Sequence, residues 1–221
     1  MTTMTESRRT FVPGMGVEWL LPLYDPLTTL LGVDRARRQL VLQAELEPGH
    51  RVLDIGCGTG SLAVLIKRLF PGVVVVGLDP DEKALARAAR KARRAGVMVQ
   101  LERGFADALT YPAASFDRVV SSFMFHHLEH ADKARVLREV LRVLKEGGSL
   151  HLLDFGGPES VGHGSRPRGL HSHHRLRDND DATILALMED ARLSDATKVS
   201  DGRLMGGLIR AAYYRAERSF A

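Results

Sequence analysis

Among its 221 residues the sequence has a single cysteine, Cys57. That excludes an intramolecular disulfide and any zinc site built on several thiolates. It also favours a reducing, cytoplasmic setting. Aromatic residues are scarce at 6%, with one tryptophan. No apolar run approaches the roughly 18 to 20 residues that cross a bilayer, so no membrane span is expected. The opening MTTMTESRRTFVPGMG is charged and lacks the apolar stretch of a secretory signal. Residues 1–17 are read as a flexible leader. The positive excess is small, a formal +4 with a pI near 9.4. Much of it lies in KALARAARKARRAG, from Lys83 to Gly96, without interleaved aromatics. A solvated helix face explains that segment better than a nucleic-acid footprint.

What the chain does have is alternation. From Arg51 onward, short apolar runs rich in β-branched residues exchange places with helical periodicity. RVLDI, VVVVGLD, VMVQLERG, FDRVVSSFMF and SLHLLDF read as strands. SLAVLIKRLF and DEKALARAARKARRAG read as helices, as does DKARVLREVLRVLKEGG, whose stop is expected at Gly147 and Gly148. This pattern predicts an α/β fold with a mostly parallel sheet and helices on both faces. Ligands of such sheets lie beyond the carboxyl ends of the strands. Before the core, a helical cap is expected over residues 18–45, with a helix from about Asp34. After it, a polar connection over residues 155–178 is read as a mobile loop at a substrate mouth. It leads to the helix DATILALMEDARL and to two strand-like runs, DATKVS and GGLIRAAYYRAE.

The first strand runs into VLDIGCGTG, in which Gly56, Gly58 and Gly60 let the backbone approach a ligand. The spacing is G-x-G-x-G, not the G-x-G-x-x-G of a dinucleotide fold, and no G-K-[ST] ending marks a phosphate cradle. Asp54 stands just before the turn, where a carboxylate would repel a pyrophosphate. Asp79 ends the second strand, placed to accept from two ribose hydroxyls. Asp107 follows the third and could accept from an exocyclic amine. Taken singly, each acid could cap a helix or bond local amides. Three acids after successive strands point to an adenosine with a cationic, amine-bearing tail and no phosphate, which is S-adenosylmethionine.

On these residues the sequence resembles the class I S-adenosylmethionine-dependent methyltransferases, near the small-molecule group that C-methylates ubiquinone and menaquinone. VLDIGCGTG, VVGLDP, ADALTYPAASFDRVVSSFMFHHL and VLREVLRVLKEGGSLHLLDFG carry the likeness, from Leu46 to Gly157. It implies a Rossmann-like sheet of seven strands, the last antiparallel, and a methyltransferase domain over residues 46–221. It places Asp54, Gly56, Cys57, Gly58 and Gly60 around the methionine moiety, and Asp79 and Pro80 at the ribose. Ala106 and Asp107 fall at the adenine, and Ser122 and Phe123 at the reactive methyl. Cys57 is expected to contribute backbone only. Arg192 stands where related chains often have glycine.

Transfer from a sulfonium needs alignment, and a general base only when the acceptor must lose a proton. FMFHHLEH offers His127 and His126 as bases, or as residues that order the turn. Tyr24, in LPLYDPL, resembles a tyrosine that folds over the cofactor. Asp154 could orient a base or cap its loop. His163, His171, His173 and His174 belong to the polar connection; no metal site is expected there. The expected partner is a small-molecule acceptor methylated at carbon or oxygen, quinone-like or a secondary metabolite. The oligomeric state stays open, a homodimer included. A non-catalytic S-adenosylmethionine-binding regulator and an RNA methyltransferase using the basic segment are the alternatives.

Overall fold

A computed structural model describes residues 32–156 and 179–220. A first helix, α1 (Val33–Gln43), precedes β1 (Arg51–Ile55), α2 (Ser61–Leu69), β2 (Val74–Asp79), α3 (Glu82–Arg94) and β3 (Gln100–Arg103). Then come β4 (Phe116–Ser122), a short 3-10 turn at Phe125–His127, α4 (His130–Val143) and β5 (Leu144–Phe155). The final elements are α5 (Asp181–Asp190), β6 (Ser194–Leu204) and β7 (Ile209–Glu217).

The seven strands form one sheet in the order β3-β2-β1-β4-β5-β7-β6. Neighbours from β3 to β5 pair in parallel, while β7 runs antiparallel to both β5 and β6. The expected mostly parallel sheet with an antiparallel last strand is what forms. Strand order reverses between β1 and β4, so the carboxyl tips of β1, β2 and β4 border the crevice where such sheets bind ligands.

Strict alternation along β1 divides the core. Leu53 and Ile55 face α4 and α5, packed with Val119, Leu150, Leu137 and Ile184. Val52 faces the other way, into the cluster that α1 and α2 build from Leu40, Val41, Leu62 and Ile66. These side chains are buried, and truncating one such leucine or isoleucine to alanine costs about 2 to 5 kcal/mol. At the base of the sheet, Asp117 accepts from the Arg51 amide at 2.7 Å and from Lys145 at 2.8 and 2.9 Å.

The structure moves one predicted boundary. Helix α4 stops at Val143, and the chain passes directly into β5 at Leu144, so Gly147 and Gly148 do not end the helix. They form a bulge in β5 instead, between the Phe116–Leu144 and Arg118–Ser149 pairings. Gly147 has φ 70°, and a Cβ at Gly148 would lie 2.8 Å from the Lys145 carbonyl oxygen. Leu144 satisfies helical periodicity and strand burial alike, so the pattern continued past the true end. Helix α1 lies within the expected cap. The polar connection begins later than expected, since Phe155 still belongs to β5; the leader, the front of the cap and residues 157–178, with Tyr24, His163, His171, His173 and His174, lie outside the described residues.

Candidate active site

The glycine turn is held by the tip of β2. The amides of Gly56 and Cys57 donate to the Leu78 carbonyl at 2.8 and 3.0 Å. The Gly58 amide donates to Oδ2 of Asp79 at 2.8 Å, and the Asp81 amide to its Oδ1 at 2.9 Å. Asp79 therefore clamps the turn as well as ending its strand. Burial pushes its carboxyl above the usual range against those amides, with the Asp81 charge adding to the rise.

The three glycines answer to different demands. At Gly56 a Cβ would strike the Met124 side chain at 2.3 Å, and at Gly60 it would strike Ala88 at 2.7 Å. Gly58, with φ 53°, has nothing within 4 Å of its Cβ position. Two glycines are thus required by packing, and the middle one borders open space. Lys91 braces the turn, donating to Thr59 at 3.1 Å and Ser61 at 2.6 Å. Cys57 is buried and its thiol is pushed far up by burial and by the charges of Asp54 and Asp79, so it is no nucleophile.

Asp54 carries the sharpest electrostatic signature. It is 1% exposed, and neither carboxylate oxygen has a hydrogen-bond partner. Burial raises its pKa from 3.8 to about 8; the Arg37 guanidinium opposes that rise, Asp79 adds to it, and the Ala63 amide, which makes no full hydrogen bond to the carboxylate, also opposes it. A buried carboxylate left without partners is costly unless a ligand supplies a cation or donors. The turn and this acid fit the ammonium end of an amino-acid tail.

The remaining expected residues follow β2, β3 and β4. Pro80 follows Asp79 half-buried. Ala106 packs on the core, and Asp107 accepts from Arg135 at 3.3 Å. Their loop is gripped by α4: Arg142 donates to the carbonyls of Tyr111 and Leu109 at 2.7 and 2.9 Å, and Glu139 accepts from the Leu109 amide at 2.9 Å. Ser122 ends β4, and Phe123 follows with φ 57°, stacked near Phe155 at 4.8 Å.

Beyond that strand lies a histidine–carboxylate pair. His126 Nδ1 is 2.7 Å from Oδ1 of the fully buried Asp154, whose Oδ2 accepts the His126 amide at 3.2 Å. Burial would raise the Asp154 carboxyl, but His126 and two backbone amides hold it below the usual carboxylate range. The His127 ring lies against His126, tilted by 43°, with centroids 3.9 Å apart. Among the described residues, no group of three or more His, Cys, Asp or Glu could hold a metal, and no helix is long and apolar enough to cross a membrane.

Arg37 was not foreseen as part of this site. Its signal was a charged residue on the apolar face of α1, among Val33, Ala36, Leu40 and Val41.

Comparison with known proteins agrees with this geometry. Residues 52–148 match the family described as methyltransferase domain. Over that segment the chain is similar to the class I S-adenosylmethionine-dependent methyltransferases. A demethylmenaquinone methyltransferase of Deinococcus radiodurans is 40% identical over 144 residues, covering 64% of this chain and 59% of that protein. A ubiquinone/menaquinone biosynthesis C-methyltransferase of Xanthomonas campestris is 38% identical over 139 residues, 60% of this chain and 54% of that one. The chain thus spans less than two thirds of the length of these curated relatives. In fold it is similar to geranyl diphosphate methyltransferase in complex with S-adenosylmethionine, with a TM-score of 0.67 at 17% identity over 84% of this chain and 85% of that one. The [4+2]-cyclase SpnF shares the fold too, with a TM-score of 0.69 at 21% identity over 85% and 81%.

Proposed function

We propose that this chain is an S-adenosylmethionine-dependent methyltransferase that methylates a carbon or oxygen of a small, quinone-like acceptor. The observation that carries the reading is Asp54: a buried, unbonded carboxylate against a glycine turn whose middle residue borders open space. In this reading Asp79 takes the ribose, Ala106 and Asp107 the adenine, and the amides around Gly58 the amino-acid tail. When bound, S-adenosylmethionine supplies an already activated methyl group. The protein's part is to align it with the acceptor and exclude water.

His126 is the base in this reading. Asp154 takes up its Nδ1 side, which leaves Nε2 to accept the proton that a phenol or carbon acid gives up. The demethylmenaquinone methyltransferase and the ubiquinone/menaquinone biosynthesis C-methyltransferase named above favour an aromatic acceptor of that kind, since ring carbons and phenols lose a proton on methylation. The 38 to 40% identity lies over the matched segment.

Turnover decides the matter. With labelled S-adenosylmethionine and a panel of reduced naphthoquinones, benzoquinones and catechols, S-adenosylhomocysteine and one methylated product should accumulate together. Binding of the donor with no product across the panel would make the chain a sensor. Methylation of RNA alone, with affinity falling steeply in salt, would assign the basic face of α3 to the substrate.

A further inference from the structure

Lys133 and Asn179 are 0% exposed, and neither has a part in the site described above. Lys133 stands in the first turn of α4, and its Nζ donates to Oδ1 of Asn179 at 3.0 Å. Asn179 precedes Asp180, the residue that caps α5. Its Nδ2 donates to the carbonyl oxygen of Phe155, at the end of β5. Helix α4, strand β5 and the entry to α5 thus meet at one side-chain amide.

The chemistry at its two ends sets which way that amide faces. An ammonium has only hydrogens to give and a carbonyl only lone pairs, so Oδ1 turns to Lys133 and Nδ2 to Phe155. Flipping the amide would leave two buried groups unmet. A buried ammonium is itself costly, and an apolar side chain would pack there more favourably. Packing alone does not account for Lys133.

What the amide holds is Phe155. The Phe155 amide donates to Oδ1 of Asp154 at 2.7 Å, and that oxygen lies 2.7 Å from Nδ1 of His126. The Phe155 ring meets the His126 ring edge-on, with centroids 4.8 Å apart, and the Phe123 ring at the same separation. Phe155 therefore acts on the imidazole twice, through Asp154 and through its own ring. Asn179 grips it from the other side.

We infer that Asn179, oriented by Lys133, is a positioning residue for His126. By holding the Phe155 carbonyl it fixes the backbone from which Asp154 and the Phe155 ring set the imidazole. The inference rests on the reading of His126 as the base.

Asn179→Asp is the discriminating variant. Its carboxylate keeps an acceptor for Lys133, so the buried ammonium stays paired, but it has no hydrogen to give to Phe155. Proton NMR on the chain without added ligand reads the first consequence. The proton on Nδ1 of His126, held by the Asp154 carboxylate, should give a downfield resonance that His126→Gln removes. In Asn179→Asp that proton should exchange with water about 10-fold faster, since the groups that hold it open more readily.

Turnover of a reduced naphthoquinone reads the second consequence. Asn179→Asp should lower kcat by about 10- to 100-fold, the order of loss that a small displacement of a reacting group brings. KM and the affinity for S-adenosylhomocysteine should stay near those of the unaltered chain. Added to His126→Gln, the substitution should lower kcat no further. Lys133→Met, in which the amide is free to turn, should behave likewise, and it decides should Asn179→Asp fail to fold. An unchanged exchange rate overturns the inference, whether or not the naphthoquinone is an acceptor. An equal loss of kcat with and without His126 also overturns it, by making the amide a support for the fold. Full turnover in His126→Gln removes the base reading itself, and this inference with it.

Discussion

The Nδ1 atom of His126 lies 2.7 Å from Oδ1 of Asp154, across the tips of β4 and β5. Asp154 also accepts the amide of Phe155 at 2.7 Å. The carboxylate is therefore fixed by the backbone on one side and fixes an imidazole on the other. If His126 takes the acceptor's proton, His126→Gln should lower turnover by about 10²- to 10⁴-fold. Affinity for S-adenosylhomocysteine should hardly change. His127→Gln should cost far less. Undiminished turnover in His126→Gln would reduce the pair to a support for the turn.

Asp79 has two duties, and its removal should reveal both. Asp79→Ala strips the acceptor from the amides of Gly58 and Asp81 and from the ribose expected beside it. Affinity for S-adenosylhomocysteine should fall by about 1 to 3 kcal/mol, and the melting temperature should fall with it. A variant that melts earlier but binds as tightly would place the ribose elsewhere.

The strand tips were legible because each acid stands at a boundary that the change of periodicity marks. Asp54 precedes the glycines and Asp79 precedes a proline, so position and role could be read together. Partners distant in sequence were less so. Residues in a 3-10 turn are rotated by about 120° from one to the next, so His126 and His127 leave the backbone in different directions although their rings meet at 3.9 Å. Only Asp154, far along the chain, distinguishes them. Arg37 was hidden for a related reason: an arginine on an apolar helix face normally lays its stem on the core and takes its head to water, and here the head is buried as well.

Arg192 shows a departure that the fold absorbs. Helices α3 and α5 end alike: Gly96 and Val97 donate to the carbonyls of Arg93 and Ala92, and Arg192 and Leu193 to those of Glu189 and Met188. The residue after the cap is left-handed in both, Gly96 at φ 66° and Arg192 at φ 64°. Glycine adopts that conformation freely, whereas a residue with a Cβ is strained by about 1 kcal/mol. Arg192 is exposed. Arg192→Gly should therefore raise the denaturant midpoint by an increment of that order, less the entropy glycine adds to the unfolded chain. A lower midpoint would mean that the arginine side chain contributes more than its backbone costs.

The pH dependence of stability should be governed by two buried groups acting in opposition. His151 is buried between Ser149 and Gln43, at 2.9 and 3.2 Å, and burial, with the charges of Arg118 and Arg215, lowers its pKa from 6.5 to about 3. Between those values the unfolded chain holds a proton that the native chain does not, so His151 destabilises the fold as pH falls from 6.5. Asp54 does the reverse. Its native pKa of about 8 against 3.8 means that the native chain holds the extra proton, and stability falls as pH rises through that interval. Each slope is about 1.4 kcal/mol per pH unit. From about pH 4 to 6.5 they largely cancel, with Asp79, also held above its usual range, adding to the Asp54 side at the acidic end, and above 6.5 Asp54 should lower stability by roughly 2 kcal/mol by pH 8. Carboxylates held low, Asp154 and Asp181 among them, act below that window. Asp54→Asn should convert that near-level stretch into a rise from pH 4 to 6.5 and flatten the curve above it. Saturating S-adenosylhomocysteine, whose ammonium keeps Asp54 ionised, should also remove the decline above 6.5 and release protons on binding, measurable in buffers of different ionisation enthalpy. Denaturation curves that fall equally above pH 6.5 in Asp54→Asn and in the unaltered chain would deny Asp54 its raised pKa.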